Sequence, residues 1–281
     1  MGMVIGIDVG ISTTKIVGIN GGKVVAPLRI KATDPVSSLY GAFGKYLYDN
    51  KIQISDVEHV MLTGVGSAYI CKPVYGLPTA KVNEFVADGL GARHESGKDK
   101  ILVVSMGTGT SLVKCDGDSI EHIGGIGIGG GTLQGLARLL LKTDDIRTVS
   151  EMAVRGNVSN INLRIGDISA KPLPGLPMSA VASLFGNARS DASREDVAIG
   201  LIWTVLQSIG QSAVLASIGS NIKEYVVIGN LTLLPQCRMV LSPIEKLYGV
   251  KFIIPAYSEF CTAIGAAMCF FDGRFDTEAV Q

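Results

Sequence analysis

The segment Asp8-Val-Gly10-Ile-Ser12-Thr13-Thr14-Lys15 sets a carboxylate, three hydroxyls and an ammonium around one glycine. Gly107-Thr108-Gly109-Thr110-Ser111 offers the same small residues in the second half of the chain. Glycine lets successive backbone N–H groups turn into one concavity, and the hydroxyls add donors, so such a nest holds phosphate without a formal positive charge. In the first loop Asp8 suits a metal-bound water and Lys15 suits phosphate oxygens. Either loop alone reads equally well as an ordinary hairpin turn. The pair, in matching positions of two halves, points to phosphate chemistry.

A third glycine-rich run, residues 124–131, contains Gly125-Ile-Gly127-Ile-Gly129-Gly130, which has the GxGxxG spacing of the dinucleotide fingerprint. That fingerprint needs a second strand after its helix, ending in an acidic residue. Here the helix runs instead into Lys142-Thr-Asp-Asp145 and a further helical stretch. The run therefore reads as a loop at a helix start, approaching nucleotide or substrate where the dipole favours an anion. No Walker A sequence is present.

These loops need a scaffold. Residues 3–10 and 12–19 read as two strands of a hairpin turning between Asp8 and Gly10. A strand near 23–26, a helix over 36–50, a strand over 57–63 leading into Gly64-Val-Gly66, and a helix over about 80–93 follow. Polar Gly97-Lys-Asp-Lys100 marks a boundary between an N-terminal lobe, 1–98, and a C-terminal lobe, 99–281. The second half repeats the theme: strand 101–105, the Gly107–Ser111 turn, strand 112–115, the Asp116-Gly117 turn and strand 119–123. Helices are expected over 132–142, 147–155 and 178–186, then a long one over 194–220 with Ser190 or Asp191 to cap it. A buried strand at 225–228 ends at Gly229-Asn230; another helix, a strand at 251–254 and a helix over 258–271 complete two α/β lobes.

Of 281 residues 47% are apolar, and 25 basic residues balance 25 acidic ones with no basic block. That balance argues against nucleic acid as a partner, whose affinity rests on clustered Lys and Arg. Asp8 stands where a signal peptide would need its apolar run, and no stretch of about 18 apolar residues appears, so no membrane span is expected. Cys71, Cys115, Cys237, Cys261 and Cys269 are scattered without a CxxC pair. Reduced thiols in a cytoplasmic protein are expected, without structural zinc or a disulfide framework.

Asp8–Lys15, Gly107–Ser111, Gly229-Asn230 and Ala263-Ile-Gly265-Ala-Ala267 together resemble the actin, sugar-kinase and heat-shock ATPase superfamily. Within it the chain is similar to type II pantothenate kinases. Val82-Asn83-Glu84-Phe85, Met106–Ser111, Ile126-Gly-Ile-Gly-Gly-Gly-Thr132, Ala182-Ser-Leu-Phe-Gly-Asn187 and Val226-Val-Ile-Gly-Asn230 carry the likeness in the family's order. The resemblance implies an α/β, two-lobed actin-like ATPase fold, with duplicated ribonuclease H-like lobes and the nucleotide in the interlobe cleft. It implies ATP and Mg2+, a homodimer, and transfer of phosphate to the primary hydroxyl of pantothenate, the first step of coenzyme A biosynthesis.

By the same resemblance Glu84 is the catalytic base, since a primary alcohol needs a proton acceptor aligned with in-line attack. As a bare residue it reads equally as a solvated helix charge. Asp8 is implied to organise the metal through water. Gly10, Ser12, Thr13, Thr14, Lys15, Gly107, Thr108, Gly129, Gly130 and Gly131 are expected around the nucleotide phosphates, with Gly229, Asn230 and Gly265 on the adenine side. Thr108, Ser111, Gly125 and His122 are expected on the acceptor side. Trp203 reads as core or dimer helix.

The family usually has an arginine at the position of His122, where it grips the pantothenate carboxylate. Histidine offers at most two donors in place of a planar fork. Three readings follow: His122 holds the carboxylate, Arg138 supplies the charge, or the acceptor is an uncharged relative such as pantetheine. Residues 255–260 also depart from the family pattern on this side. Two rival classes share the superfamily or its fold. One is the ATPase activator of 2-hydroxyacyl-CoA dehydratases, which needs cysteines for an iron–sulfur cluster; the other is a nucleotide-binding sensor without turnover.

Overall fold

Each half of the chain builds one five-stranded mixed sheet in the computed structural model, which describes residues 2–171 and 173–275. The first contains β1 (Met3–Val9), β2 (Thr13–Asn20), β3 (Lys23–Lys31), β4 (Val57–Thr63) and β5 (Thr79–Lys81), in the order β3-β2-β1-β4-β5. The second contains β6 (Ile101–Met106), β7 (Thr110–Asp116), β8 (Ser119–Ile126), β11 (Glu224–Ile228) and β12 (Lys251–Ile253), in the order β12-β11-β6-β7-β8. In both, the opening strand pairs antiparallel with the second and parallel with the fourth. The two sheets therefore share one topology, the duplication expected from the repeated strand, turn and strand.

β1 is apolar almost throughout because both its faces are covered. Ile5, Ile7 and Val9 meet Leu39, Phe43 and Tyr46 of α1 (Pro35–Asn50). Val4 and Gly6 face the other way, toward α8 (Cys261–Asp272). Helix α1 starts on Pro35 with the Asp34 carboxylate accepting from the Ser37 N–H at 2.7 Å, and it stops at Lys51 in the left-handed region.

α2 (Glu84–Ser96) and α8 lie side by side between the two sheets. Their approach is close enough that a Cβ on Gly265 would fall on the Ala87 carbonyl oxygen, and one on Gly91 on that of Cys261. On the far side of the second sheet pack α3 (Gly130–Leu141), α4 (Ile146–Ala153), α6 (Arg194–Ala216) and α7 (Gln236–Tyr248). Between α4 and α6 the chain makes a single turn, α5 (Ile165–Ile168), and a two-stranded ribbon of β9 (Leu163–Arg164) and β10 (Val181–Ser183).

Several expectations change here. The helix expected over 178–186 is instead turn and β10, which finds its partner in β9, and Phe185 at φ +58° breaks any helical run. Residues 79–81 extend the first sheet, so α2 begins only at Glu84, where the Asn83 side chain accepts from Phe85 and Val86 N–H. β8 runs on to Ile126, three residues past expectation. The α6 cap is Ser193, which accepts from the Asp196 N–H. α6 is also long and apolar enough to cross a membrane by composition, contrary to the reading of the bare sequence, yet 67% of that window is buried against the fold's own helices. All five cysteines are free, and four are buried.

Candidate active site

Strand register lines up one polar row across the first sheet. Asp8 on β1 stands opposite Lys15 on β2, Lys15 opposite Arg29 on β3, and Asp8 beside Thr63 on β4. Directly paired residues share a face, and this face is the one turned toward α8 and the second sheet. Lys15 Nζ lies 3.6 Å from Asp8 Oδ2, with both residues buried. Burial pushes the Asp8 carboxyl up, against the opposing pull of Lys15. At the outer end of the row Arg29 Nη1 pairs with Glu259 Oε2 at 2.9 Å, just ahead of α8.

The equivalent row in the second sheet is uncharged. Ser105 on β6 faces Ser111 on β7, and Ser111 faces Gly125 on β8. Between the two rows runs the first turn of α2. Glu84 is its first residue, and Asp88 follows one turn later on the same side. Burial raises the Glu84 carboxyl to about 7, helped by the like charges of Asp88 and Asp8 and opposed by Lys15. Asp88 is wholly buried and rises to about 6 for the same first reason, opposed by hydrogen bonding from Thr262 and Ser105. Thr262 Oγ1 donates to Asp88 Oδ1 at 2.6 Å.

The bare sequence did not single out Asp88. The signal was present, a Glu84-x-x-x-Asp88 spacing that puts both carboxylates on one helical stripe. Gly64 is a second omission. It has φ +83°, and a Cβ there would come 2.6 Å from Asp8 Oδ1, so only glycine lets the end of β4 pass the carboxylate.

The glycine loops meet one another. The N–H groups of Gly130 and Gly131 donate to the carbonyls of Gly107 and Thr108, both at 2.9 Å. Side-chain atoms on Gly129 would come 2.6 Å from the Thr108 and Gly109 carbonyl oxygens. Two leading donors of α3 are thus committed to the β6–β7 turn, where the bare sequence suggested a free helix start for an anion. Gly107 and Thr108 themselves are exposed. In the first loop Gly10 closes on the Thr13 carbonyl, Ser12 is exposed and Thr13 half-buried.

Two expected residues stand apart. Thr14 is fully buried and pairs with Val9, so its side chain leaves the opposite face of β2 from Lys15, toward α1. Gly265 lies at the α2–α8 crossing, and that close approach accounts for the glycine in place of an adenine contact. Of the residues expected on the adenine side, Gly229 at φ +96° packs on the Met106 backbone, and Asn230 Oδ1 is buried without a hydrogen-bond partner among the described residues.

His122 stacks flat on Phe85, next to Glu84, with centroids 3.8 Å apart and planes 6° apart. Arg138 is tied to Asp144 at 2.7 Å on the surface of α3. For magnesium, no group of three or more His, Cys, Asp or Glu able to hold a metal occurs among the described residues. An ion that keeps its waters and takes phosphate ligands needs only one or two carboxylates, and the buried Asp8 beside the loop turn fits that requirement.

The duplicated sheets, each with a glycine turn after its opening strand and with Asp8 and Asp88 buried between them, define a two-lobed actin-like ATPase fold. Solved structures of like shape are the activator of the 2-hydroxyisocaproyl-CoA dehydratase from Clostridium difficile with bound ADPNP and a ROK family glucokinase from Streptomyces griseus in complex with glucose and AMPPNP. The first has a TM-score of 0.70 at 15% identity, over 97% of this chain and 95% of that one. The second has 0.60 at 14%, over 95% and 98%. At such identities the likeness concerns the fold alone. A profile of the Fumble family matches residues 93–266. The type II pantothenate kinase of Staphylococcus aureus is 31% identical over 223 residues, 75% of this chain and 82% of its own length. Pantothenate kinase 1 of Arabidopsis thaliana is 37% identical over 133 residues, 44% of this chain and 35% of the plant protein. The chain belongs to the Fumble family, the type II pantothenate kinases.

Proposed function

We propose that this protein is an ATP-dependent kinase that phosphorylates the primary hydroxyl of pantothenate, the first step of coenzyme A biosynthesis. Family membership supports the reaction, and the observation that carries the chemistry is Glu84. It is a partly buried carboxyl with an affinity for protons near neutrality, at a helix start between the Asp8–Lys15 pair and the serine row. A general base works best when its pKa lies near the operating pH.

The placement of the side chains supports the following roles. Glu84 takes the proton of the attacking hydroxyl. Lys15 and the Gly10–Thr13 and Gly107–Thr108 turns hold the phosphates, with Asp8 organising Mg2+ through water; the ion supplies charge neutralisation on the transferred group. Asn230 and Gly229 line the adenine side, the orphaned Asn230 oxygen being a ready acceptor for an amino group. Ser111, Thr108, Gly125 and His122 line the acceptor side. Residues 1–98 and 99–281 are the two lobes, with α8 crossing back onto the first sheet. The protein is taken to act as a cytoplasmic homodimer, in keeping with its free thiols and the exposed Leu139 and Leu140 on α3.

A second reading rests on His122. Its ring face is occupied by Phe85, Arg138 is already paired, and one imidazole edge grips a carboxylate less well than a guanidinium fork. An uncharged relative such as pantetheine would suit that edge. The test is ATP consumption with pantothenate, pantetheine and a panel of sugars, on the protein and on Glu84→Gln. Pantothenate turnover that falls by about 10²–10⁴ in the variant is expected. No turnover on any acceptor would sink the kinase reading, and turnover on pantetheine with none on pantothenate would favour the second.

A further inference from the structure

Asp88 is a fully buried carboxylate at the junction of three elements. It rises from α2, receives the Thr262 hydroxyl of α8 at 2.6 Å and has the Ser105 hydroxyl of β6 favouring its charged form. Its Oδ2 is buried and has no hydrogen-bond partner among the described residues. A buried carboxylate with an unpaired oxygen is costly, and nothing in the packing of α2 on α8 requires one, since the surrounding positions Ala87, Gly91, Ala263 and Ala266 are small and apolar. It sits one helical turn behind Glu84, where residues four apart stand as neighbours.

We propose that Asp88 is a positioning residue for the phosphoryl transfer: anchored by the Thr262 hydroxyl, its buried charge sets how tightly Glu84 holds the proton it takes from the acceptor. The inference rests on the reading of Glu84 as the base. The groups that face this pair are few. Asp8 from β1 adds to the negative charge, and Lys15 from β2 opposes it. His122 from β8 lies against the neighbouring Phe85. Cys115 from β7 and Cys261 from α8 feel the Asp88 charge, and burial keeps both thiols protonated. Thr262 is thus the one hydroxyl whose removal weakens the Asp88 charge through a hydrogen bond of known length.

The experiment is the pH dependence of kcat/KM for pantothenate in the protein, Asp88→Asn, Thr262→Val and Glu84→Gln. Asparagine keeps the shape and still accepts from Thr262. With the like charge gone, the acid limb is expected to move down by about one pH unit. The plateau should fall about threefold, because a weaker base transfers the proton less readily. Thr262→Val, which leaves the carboxylate in place but favours its protonated form, should move the limb the same way by less. An unmoved limb in both variants, or an upward shift in either, overturns the proposal while the role of Glu84 stands. If Asp88→Asn does not fold, the Thr262→Val limb decides alone. Glu84→Gln with near-normal turnover overturns both this proposal and the reading of the base.

Discussion

Replacing Glu84 by Gln keeps the side chain's shape and removes a charge that burial and two nearby carboxylates oppose. The carboxyl's ordinary value of 4.5 rises to about 7 in the fold. Each pH unit is worth about 1.4 kcal/mol, so carrying the charge costs the folded protein about 3 kcal/mol. Because the folded value lies above the unfolded one, the native state binds the extra proton between 4.5 and about 7. The penalty is absent below that window, grows through it and is complete above it. Glutamine gives back about 0.3–1 kcal/mol, since a negative charge at the first position of α2 is favoured by the helix dipole.

The variant should therefore be more stable than the parent by about 2 kcal/mol at pH 8, and by less than about 1 kcal/mol at pH 5. Urea unfolding at the two pH values measures this directly, with equal slopes showing that the same surface is exposed. ATP turnover falls in the same samples. A stabilised and inactive protein at pH 8 is the signature of a group held against its solvation for the sake of chemistry. A variant less stable at pH 8, or one whose gain is equal at pH 5 and pH 8, would refute the reasoning.

Lys15→Met removes the cation that opposes the rise of both Asp8 and Glu84. The acid limb of kcat/KM should move up in pH, opposite to Asp88→Asn, and KM for ATP should rise; an unmoved or lowered limb would show that Lys15 does not act on the base. Gly265→Ala puts a Cβ on the Ala87 carbonyl oxygen, a backbone atom that yields only if α2 and α8 separate. Unfolding should become easier by roughly 3 kcal/mol, with ATP affinity of the folded protein unchanged. Normal stability with lost ATP affinity would return Gly265 to the nucleotide.

The repeated hairpins were legible in the amino-acid order, because β-branched runs and glycine turns are local chemistry that neighbours in the chain already specify. The duplication of the sheets follows, because the same strand, turn and strand opens both halves. The start of α2 was not legible: a helix read from about residue 80 begins only at Glu84, because residues 79–81 pair with β4 and join the first sheet. Only the folded arrangement separates glycines in exposed turns, such as Gly107, from those that admit a neighbouring backbone, such as Gly265. Gly265 and Ala87 are far apart in the chain, and only the packing of α8 between the sheets brings them together. It also decided that Thr14 leaves the site while Lys15 enters it, since the alternation of a strand becomes inside or outside only when both faces are covered. Asp88 likewise takes its place only in the closed fold. A carboxylate on a helix is ordinarily solvated, and its burial between two sheets, behind Glu84, is a property of how the segments close on one another.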